Sequence, residues 1–331
     1  MPAILRDVAY YLPSRELSNA ELASQFPEWD VAKIAKKTGI SSRRIAAEGE
    51  CASDLAVEAA RALFARGACR AEDIDFVLLC TQSPDYFLPT TACLVQERLG
   101  LPVSAGALDY NLGCSGYVYG LGMAKGLVET GQARNVLLLT AETYSKFLHP
   151  EDRGVRTIFG DAASASLVAA SAEGPDAIGP FVYGTDGRGA EKLIVRTGGM
   201  RQPCKSGDKA DFLFMDGPEI FAFTISAVPE MVRQLLTRAG MQAEEVDYYV
   251  FHQANRFMLE HLRNELAIPS EKFAYALQDC GNTVSATIPI ALSRAQSAGA
   301  LQPGRTLMLV SFGVGYSWAA AMLRWVEPPC S

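Results

Sequence analysis

The 331 residues carry 30 Lys and Arg against 37 Asp and Glu, a formal charge of −7 that argues against a general nucleic-acid binder. Hydrophobic residues at 49% suffice for a large core and exclude a disordered chain. No apolar run is long enough to span a bilayer, no leader-like region opens the chain, and the eight cysteines lack paired metal-ligand spacing. These features predict a cytoplasmic protein with reduced thiols, no metal and no membrane partner, folded as one or two large domains.

In chain order, residues 3–10 predict a first strand closed by Pro13, and residues 19–26 and 31–37 predict short helices. The segment KKTGISSRRIA gathers Lys36, Lys37, Arg43 and Arg44, either as a solvated loop or as a guide for a phosphate-bearing ligand. Ser53 is placed to cap a helix running to about Arg66, with Leu55, Ala59, Leu63 and Phe64 on one face. The unbroken apolar run 74–80 predicts a strand covered on both faces. Pro84 and Pro89 bracket a loop holding Tyr86, Phe87 and Leu88, and a helix is predicted over 91–99. Strands follow at 107–110, 135–140 and 163–169. Residues 174–217 are rich in glycine and charge, with short strands at 181–183 and 193–195. Their irregular excursion, GGMRQPCKSGDKAD, is of the kind that often covers a site. A long helix is predicted over 218–239.

The stretch DYNLGCSGYVYGLGMAKGL, residues 109–127, reads as strand, tight turn and helix, with Cys114 at the tip of the turn. Backbone N–H groups are unpaired at a helix start, and the helix dipole favours negative charge there. The thiolate is the nucleophilic form, yet at a pKa of about 8.5 only roughly 3% of a cysteine is ionised at pH 7. Making it the major form takes ~2 pKa units, about 2.7 kcal/mol, of which a helix start supplies ~0.3–2 kcal/mol. This predicts a lowered Cys114 pKa and a second cation or donor nearby. Gly113, Ser115 and Gly116 leave room for a bulky thioester. The plainer alternative is a buried cysteine packed as a small hydrophobe.

The second half echoes the first at an offset of about 170 residues. AEDIDFVLLCTQ from Ala71 resembles AEEVDYYVFHQA from Ala243, ALDYNLGC matches YALQDCGN, and NVLLLT matches TLMLVS. The repeat predicts two similar α/β halves, residues 1–172 and 173–331, each a sheet with covering helices. It aligns Cys114 with Asn282, and Cys80 approximately with His252, so all three functional candidates fall at or just past the ends of central strands.

His252 follows the apolar run 246–251, whereas His149 sits in a loop and His261 on an amphipathic helix. Asn282 opens a helix in DCGNTVSATIPIAL. A cysteine, a neutral histidine and an asparagine suit one kind of reaction. The cysteine takes an acyl group from a thioester; the other two donate hydrogen bonds to the oxygen of a malonyl thioester as it loses carbon dioxide. Each such donor is worth roughly 2.7–4 kcal/mol. A hydrolytic site uses the same residue types with the histidine as base.

GCSG around Cys114, HQAN from His252, GNT from Gly281 and FGxGxSW from Phe312 resemble β-ketoacyl-acyl-carrier-protein synthase III, in the thiolase-like superfamily. TGI at Thr38, DRG at Asp152, FGDAA at Phe159, GGxRQP at Gly198 and MDGPEIFAF at Met215 extend the resemblance over essentially the whole chain. It implies an α/β, five-layered α-β-α-β-α thiolase-like fold of two duplicated halves, a homodimer, and acyl carrier protein as partner. The implied reaction is a ping-pong decarboxylative condensation of an acyl thioester with malonyl-acyl carrier protein, with no cofactor. Cys114 would be the acylated nucleophile, and His252 and Asn282 would promote decarboxylation. The Cys114 N–H and an N–H in the Gly313-Val314 turn would form the acyl oxyanion hole, with Phe312 against the malonyl site. Phe87 and Leu88 would close an acyl pocket across the dimer, and Lys33, Lys37, Arg153, Asn255 and Arg256 would line the substrate channel.

The chain departs from the family where a tryptophan stacking on the CoA adenine gives way to a residue near Lys33, where Lys37 replaces an arginine, and where HQANRF shifts Arg256 by one position. The resemblance implies a place in fatty-acid or specialised-metabolite synthesis; these changes speak against CoA as the preferred donor and against ordinary carrier-protein docking, and point to a specialised-metabolism or surface-glycan member that uses another carrier-bound acyl group. Transfer to an alcohol or amine without decarboxylation is the alternative on the same scaffold.

Overall fold

The computed structural model describes residues 1–171 and 177–326, and in it two sheets alternate with three layers of helix. The first sheet has five strands, in the order Ala3–Tyr11, Ala162–Ala170, Asn135–Glu142, Phe76–Cys80 and Gly106–Tyr110. Its last three strands run parallel and the others pair antiparallel. The second sheet has four strands, in the order Tyr248–Phe251, Thr306–Gly313, Ser317–Arg324 and Ile178–Thr185, here with one parallel pair followed by antiparallel ones. The fifth strand is reduced there to a single bridge between Tyr249 and Phe273. The boundary expected after residue 172 lies outside the described residues.

Side chains alternate across a strand, so a sheet covered on both faces needs unbroken apolar runs. Along Asn135–Glu142, Val136 and Leu138 pack into the central layer, while Leu137, Leu139 and Ala141 pack against the outer helix Ala52–Ala65. Along Thr306–Gly313, Leu307 and Leu309 face the centre, and Met308 and Val310 face the outer helices Gly217–Ala239 and Arg256–Glu265. The central layer is built from Gly116–Glu129 and Thr287–Ser297. Each fully buried leucine there contributes about 1.5–3 kcal/mol.

Three local expectations change. The helix Ala52–Ala65 starts at a Cys51 cap, where the Asp54 carboxylate accepts the Cys51 N–H at 2.7 Å. Ser53 is buried inside the first turn, its hydroxyl donating to Asp85 at 2.6 Å. Arg43 leaves the basic cluster altogether: it is fully buried and donates to Asn19 Oδ1 at 2.6 Å and to the Thr157 carbonyl at 3.1 Å. The glycine-rich excursion is pinned where Leu193–Ile194 pairs with Phe214–Met215, and it is Leu193 and Met215, rather than the excursion itself, that reach a cavity.

Candidate active site

Cys114 and His252 sit just beyond a strand, whereas Asn282 lies in an irregular loop preceded only by the single bridge at Phe273. Cys114 follows Gly106–Tyr110 and precedes Gly116–Glu129, in a turn closed by the Gly116 N–H donating to the Gly113 carbonyl at 2.8 Å. Ser115 at the helix cap makes no side-chain cap bond; its hydroxyl meets Ser317 Oγ at 2.6 Å instead. His252 extends Tyr248–Phe251 by one residue, its N–H donating to the Val310 carbonyl at 2.8 Å. Asn282 is stitched by its backbone to the first half: its N–H donates to the Ile158 carbonyl at 2.9 Å and its carbonyl accepts from the Gly160 N–H at 3.0 Å. Gly281 makes that seam possible. It has φ of +72°, and a Cβ there would lie 2.6 Å from the Ile158 carbonyl oxygen.

These turns converge on one cavity of about 690 Å³. Its buried wall holds Cys114, His252, Asn282, Phe312 and Gly313, and its exposed rim carries Lys33, Lys37 and Arg153. Asn255 also lines it, though its carboxamide oxygen is engaged in capping Arg256–Glu265 through the Met258 N–H at 2.9 Å. Arg256 lies outside the cavity, its guanidinium over the Tyr275 ring at 5.6 Å and 3.7 Å from Glu260. Phe87 and Leu88 also lie outside it, 78% and 83% exposed. Trp29 is buried and stacked on Phe26 at 4.1 Å, so it presents no free face to an adenine.

The charge of the site differs from the expectation. Burial pushes the Cys114 thiol up to about 12, the Glu142 carboxylate adds to this, and the N–H groups of Cys114 and Val314 act in the opposite sense. That rise corresponds to about 4 kcal/mol against the thiolate, more than the ~0.3–2 kcal/mol of a helix start. No lowered thiol results, because desolvation outweighs the helix field. These two N–H groups, of Cys114 and of Val314 in the Gly313-Val314 turn, match the expected acyl oxyanion hole.

Burial also holds His252 neutral, down to about 3. Thr287 Oγ1 lies 2.7 Å from His252 Nδ1 and 3.0 Å from the Val284 carbonyl. The one hydroxyl proton of Thr287 serves either partner: donated to Nδ1 it leaves the ring proton on Nε2 for the cavity, and donated to the Val284 carbonyl it leaves Nε2 as an acceptor. The Phe312 ring meets the imidazole edge to face at 5.4 Å. Asn282 Oδ1 accepts the Val284 N–H at 2.9 Å, which fixes the carboxamide and leaves Nδ2 as a donor.

Models of the 3-oxoacyl-[acyl-carrier-protein (ACP)] synthase III family match residues 108–187 and, for its C-terminal part, residues 236–325. The β-ketoacyl-[acyl-carrier-protein] synthase III 3 of Streptomyces coelicolor is 39% identical over 336 residues, 98% of each chain. The chain belongs to the β-ketoacyl-acyl-carrier-protein synthase III family. Among solved structures, a 3-oxoacyl-(acyl-carrier-protein) synthase III is 53% identical with a TM-score of 0.96, covering 98% of this chain and 100% of that one. A 3-oxoacyl-(acyl-carrier protein) synthase from Burkholderia xenovorans LB400 is 38% identical with a TM-score of 0.93, covering 99% and 95%. The thiolase-like fold expected from the motifs is therefore the fold this family member has.

Within this β-ketoacyl synthase, the sequence left Thr287 and Glu142 unnoticed. Glu142 carried a signal: it is the charged end of the run NVLLLTAE, and it is fully buried. Gly313 has a steric task. A Cβ there would lie 2.7 Å from the Cβ of Cys114 and 2.9 Å from its sulfur. Gly313→Ala is expected to slow Cys114 acylation about 10²-fold, read by intact-protein mass, because the sulfur must move. Acylation within threefold of the parent would show that the turn yields freely.

Proposed function

We propose that this enzyme joins an acyl thioester to malonyl-acyl carrier protein by decarboxylative Claisen condensation. The Cys114 sulfur attacks the acyl carbonyl, the donor C–S bond breaks, and the cysteine proton leaves with the departing thiol. The oxygen that becomes negative is met by the Cys114 and Val314 N–H groups. The malonyl thioester then loses carbon dioxide, and its enolate oxygen takes hydrogen bonds from His252 Nε2–H and Asn282 Nδ2. The carbanion attacks the acyl group on Cys114, the S–acyl bond breaks to release a β-ketoacyl thioester, and the expelled Cys114 thiolate takes a proton from solvent. A neutral imidazole suits this step, since it donates without needing protonation from solvent.

The observation that carries this reading is that Cys114, His252 and Asn282 share the buried wall of one cavity, whose exposed rim carries Lys33, Lys37 and Arg153 alongside Glu28 and Asp30. Lys33, Lys37 and Arg153 there suit a phosphopantetheine arm and an acidic carrier protein. Nothing in the chemistry calls for a metal or organic cofactor. The test is a panel of acyl-CoA and acyl-carrier donors, followed by intact-protein mass and by carbon dioxide release from malonyl-acyl carrier protein. Acylation of Cys114 without carbon dioxide release would overturn the condensation.

A homodimer and a cytoplasmic setting belong to the same reading. No described helix is long and apolar enough to cross a membrane, and the described cysteines are all free thiols. Gly106–Tyr110 is an edge strand with Leu108 exposed, and the Thr91 N–H ties the loop of Phe87 and Leu88 to its Asp109 at 2.6 Å. An open sheet edge beside exposed apolar side chains fits a second copy of the chain. Sedimentation is expected to give twice the mass of one chain; a single-chain mass at micromolar concentration would remove the homodimer.

A further inference from the structure

Glu142 is a buried carboxyl that the condensation does not use. It ends the strand Asn135–Glu142 with no exposed surface. Its Oε2 accepts the Gln82 N–H at 3.1 Å and the Ser83 hydroxyl at 3.2 Å, both from the loop after Phe76–Cys80. Its Oε1 accepts the Ser285 hydroxyl at 2.9 Å, from the turn that carries Asn282. Gln82 continues the link toward the nucleophile. Its side-chain amide donates to Asn111 Oδ1 at 3.3 Å, its Oε1 accepts the Tyr144 hydroxyl at 3.2 Å, and the same oxygen lies against Gly113. One carboxyl thus joins the Cys114 turn of one half to the Asn282 turn of the other.

The titratable groups around it come from every neighbouring element: Cys80, Tyr110, Cys114, Tyr144 and Asp161. All five are acids, so none of them supplies a countercharge. Burial raises Glu142 to about 8, below the Cys114 thiol near 12. The carboxyl therefore ionises first, and a Cys114 thiolate formed above that pH forms beside an existing negative charge. Cys80, Tyr110 and Tyr144 are pushed well above their usual ranges and His252 is already neutral, which leaves the carboxyls: Glu142, and Asp161, which burial also raises and which the Ser145 hydroxyl and N–H and the Ala46 N–H hold in the opposite sense.

We propose that Glu142 is a positioning residue whose carboxylate governs how readily Cys114 ionises, restraining the nucleophile once the carboxyl has lost its own proton. This rests on Cys114 as the nucleophile, but the test reads the sulfur directly and needs no turnover. The full chain is alkylated with iodoacetamide from pH 6 to 11, and the rate at Cys114 is followed by peptide mass. The logarithm of the parent rate is expected to rise with pH, flatten as Glu142 ionises, then rise again on a displaced line. Glu142→Gln is expected to stay on the low-pH line, matching the parent at pH 6 and exceeding it about tenfold at pH 10, one pKa unit of coupling. Glu142→Asp keeps the charge and is expected to keep the break.

A parent profile with no break overturns the proposal even if neither variant folds. So does a Glu142→Gln profile parallel to the parent throughout, which is what simple loosening of the turn would give. If the break is present but no acyl donor loads Cys114, the functional reading fails while this one stands.

Discussion

Cys114→Ala is expected to abolish the acyl-enzyme and to lower condensation by about 10⁴-fold or more, the usual scale for removing a nucleophile. The substitution removes the sulfur and keeps the backbone N–H groups of residues 114 and 314, so the oxyanion pair survives. It also leaves His252 and Asn282 in the same cavity wall. Decarboxylation of malonyl-acyl carrier protein should therefore persist while carbon–carbon bond formation is lost. Intact-protein mass after incubation with acyl donors reads the first effect, and carbon dioxide release reads the second. An acyl adduct on the Cys114→Ala chain, or condensation within tenfold of the parent, would place the nucleophile elsewhere.

The second large effect falls on the other step. Asn282→Ala is expected to slow malonyl decarboxylation by about 10²–10³-fold, the cost of one lost donor at a developing oxyanion, roughly 2.7–4 kcal/mol. Acylation of Cys114 should change by less than fivefold, because the Cys114 and Val314 N–H groups remain. His252→Ala is expected to fall in the same range. The double substitution should cost less than the product of the two, since both donors serve one oxygen. Equal losses of acylation and decarboxylation in Asn282→Ala would mean that the turn had collapsed. That outcome is physically distinct, because Asn282 holds its seam through its backbone, which alanine retains.

Much of this architecture was legible in the residues. The unbroken run NVLLLT and its echo TLMLVS announced strands covered on both faces, and their common offset announced a duplicated sheet. Cys114 and His252 could be placed past strand ends because local pattern locates the ends of such runs, whereas Asn282, placed there by the repeat, lies in a loop with no strand directly before it. The charge of Cys114 could not be read. Sequence shows the helix start that favours a thiolate, but the burial that opposes it is a property of the packed layers. Arg43 failed for the same reason. Its neighbours in sequence are Ser42 and Arg44, yet its partners are Leu17, Asn19 and Thr157, all remote along the chain. Arg256 was assigned to the channel from its place beside Asn255, but helix geometry turns it toward Tyr275 and Glu260. Local pattern reports an element and its faces; it does not report which long side chain is recruited by a distant carbonyl.

The backbone seam between Phe159 and Asn282 has a consequence for activity. Cys114 comes from the first half of the chain and His252 and Asn282 from the second, and the peptide groups of Ile158, Gly160 and Asn282 help to hold them in register. A slip at the join would therefore yield chains with ordinary circular dichroism and no turnover, a failure that a check of folding passes and only an activity assay exposes.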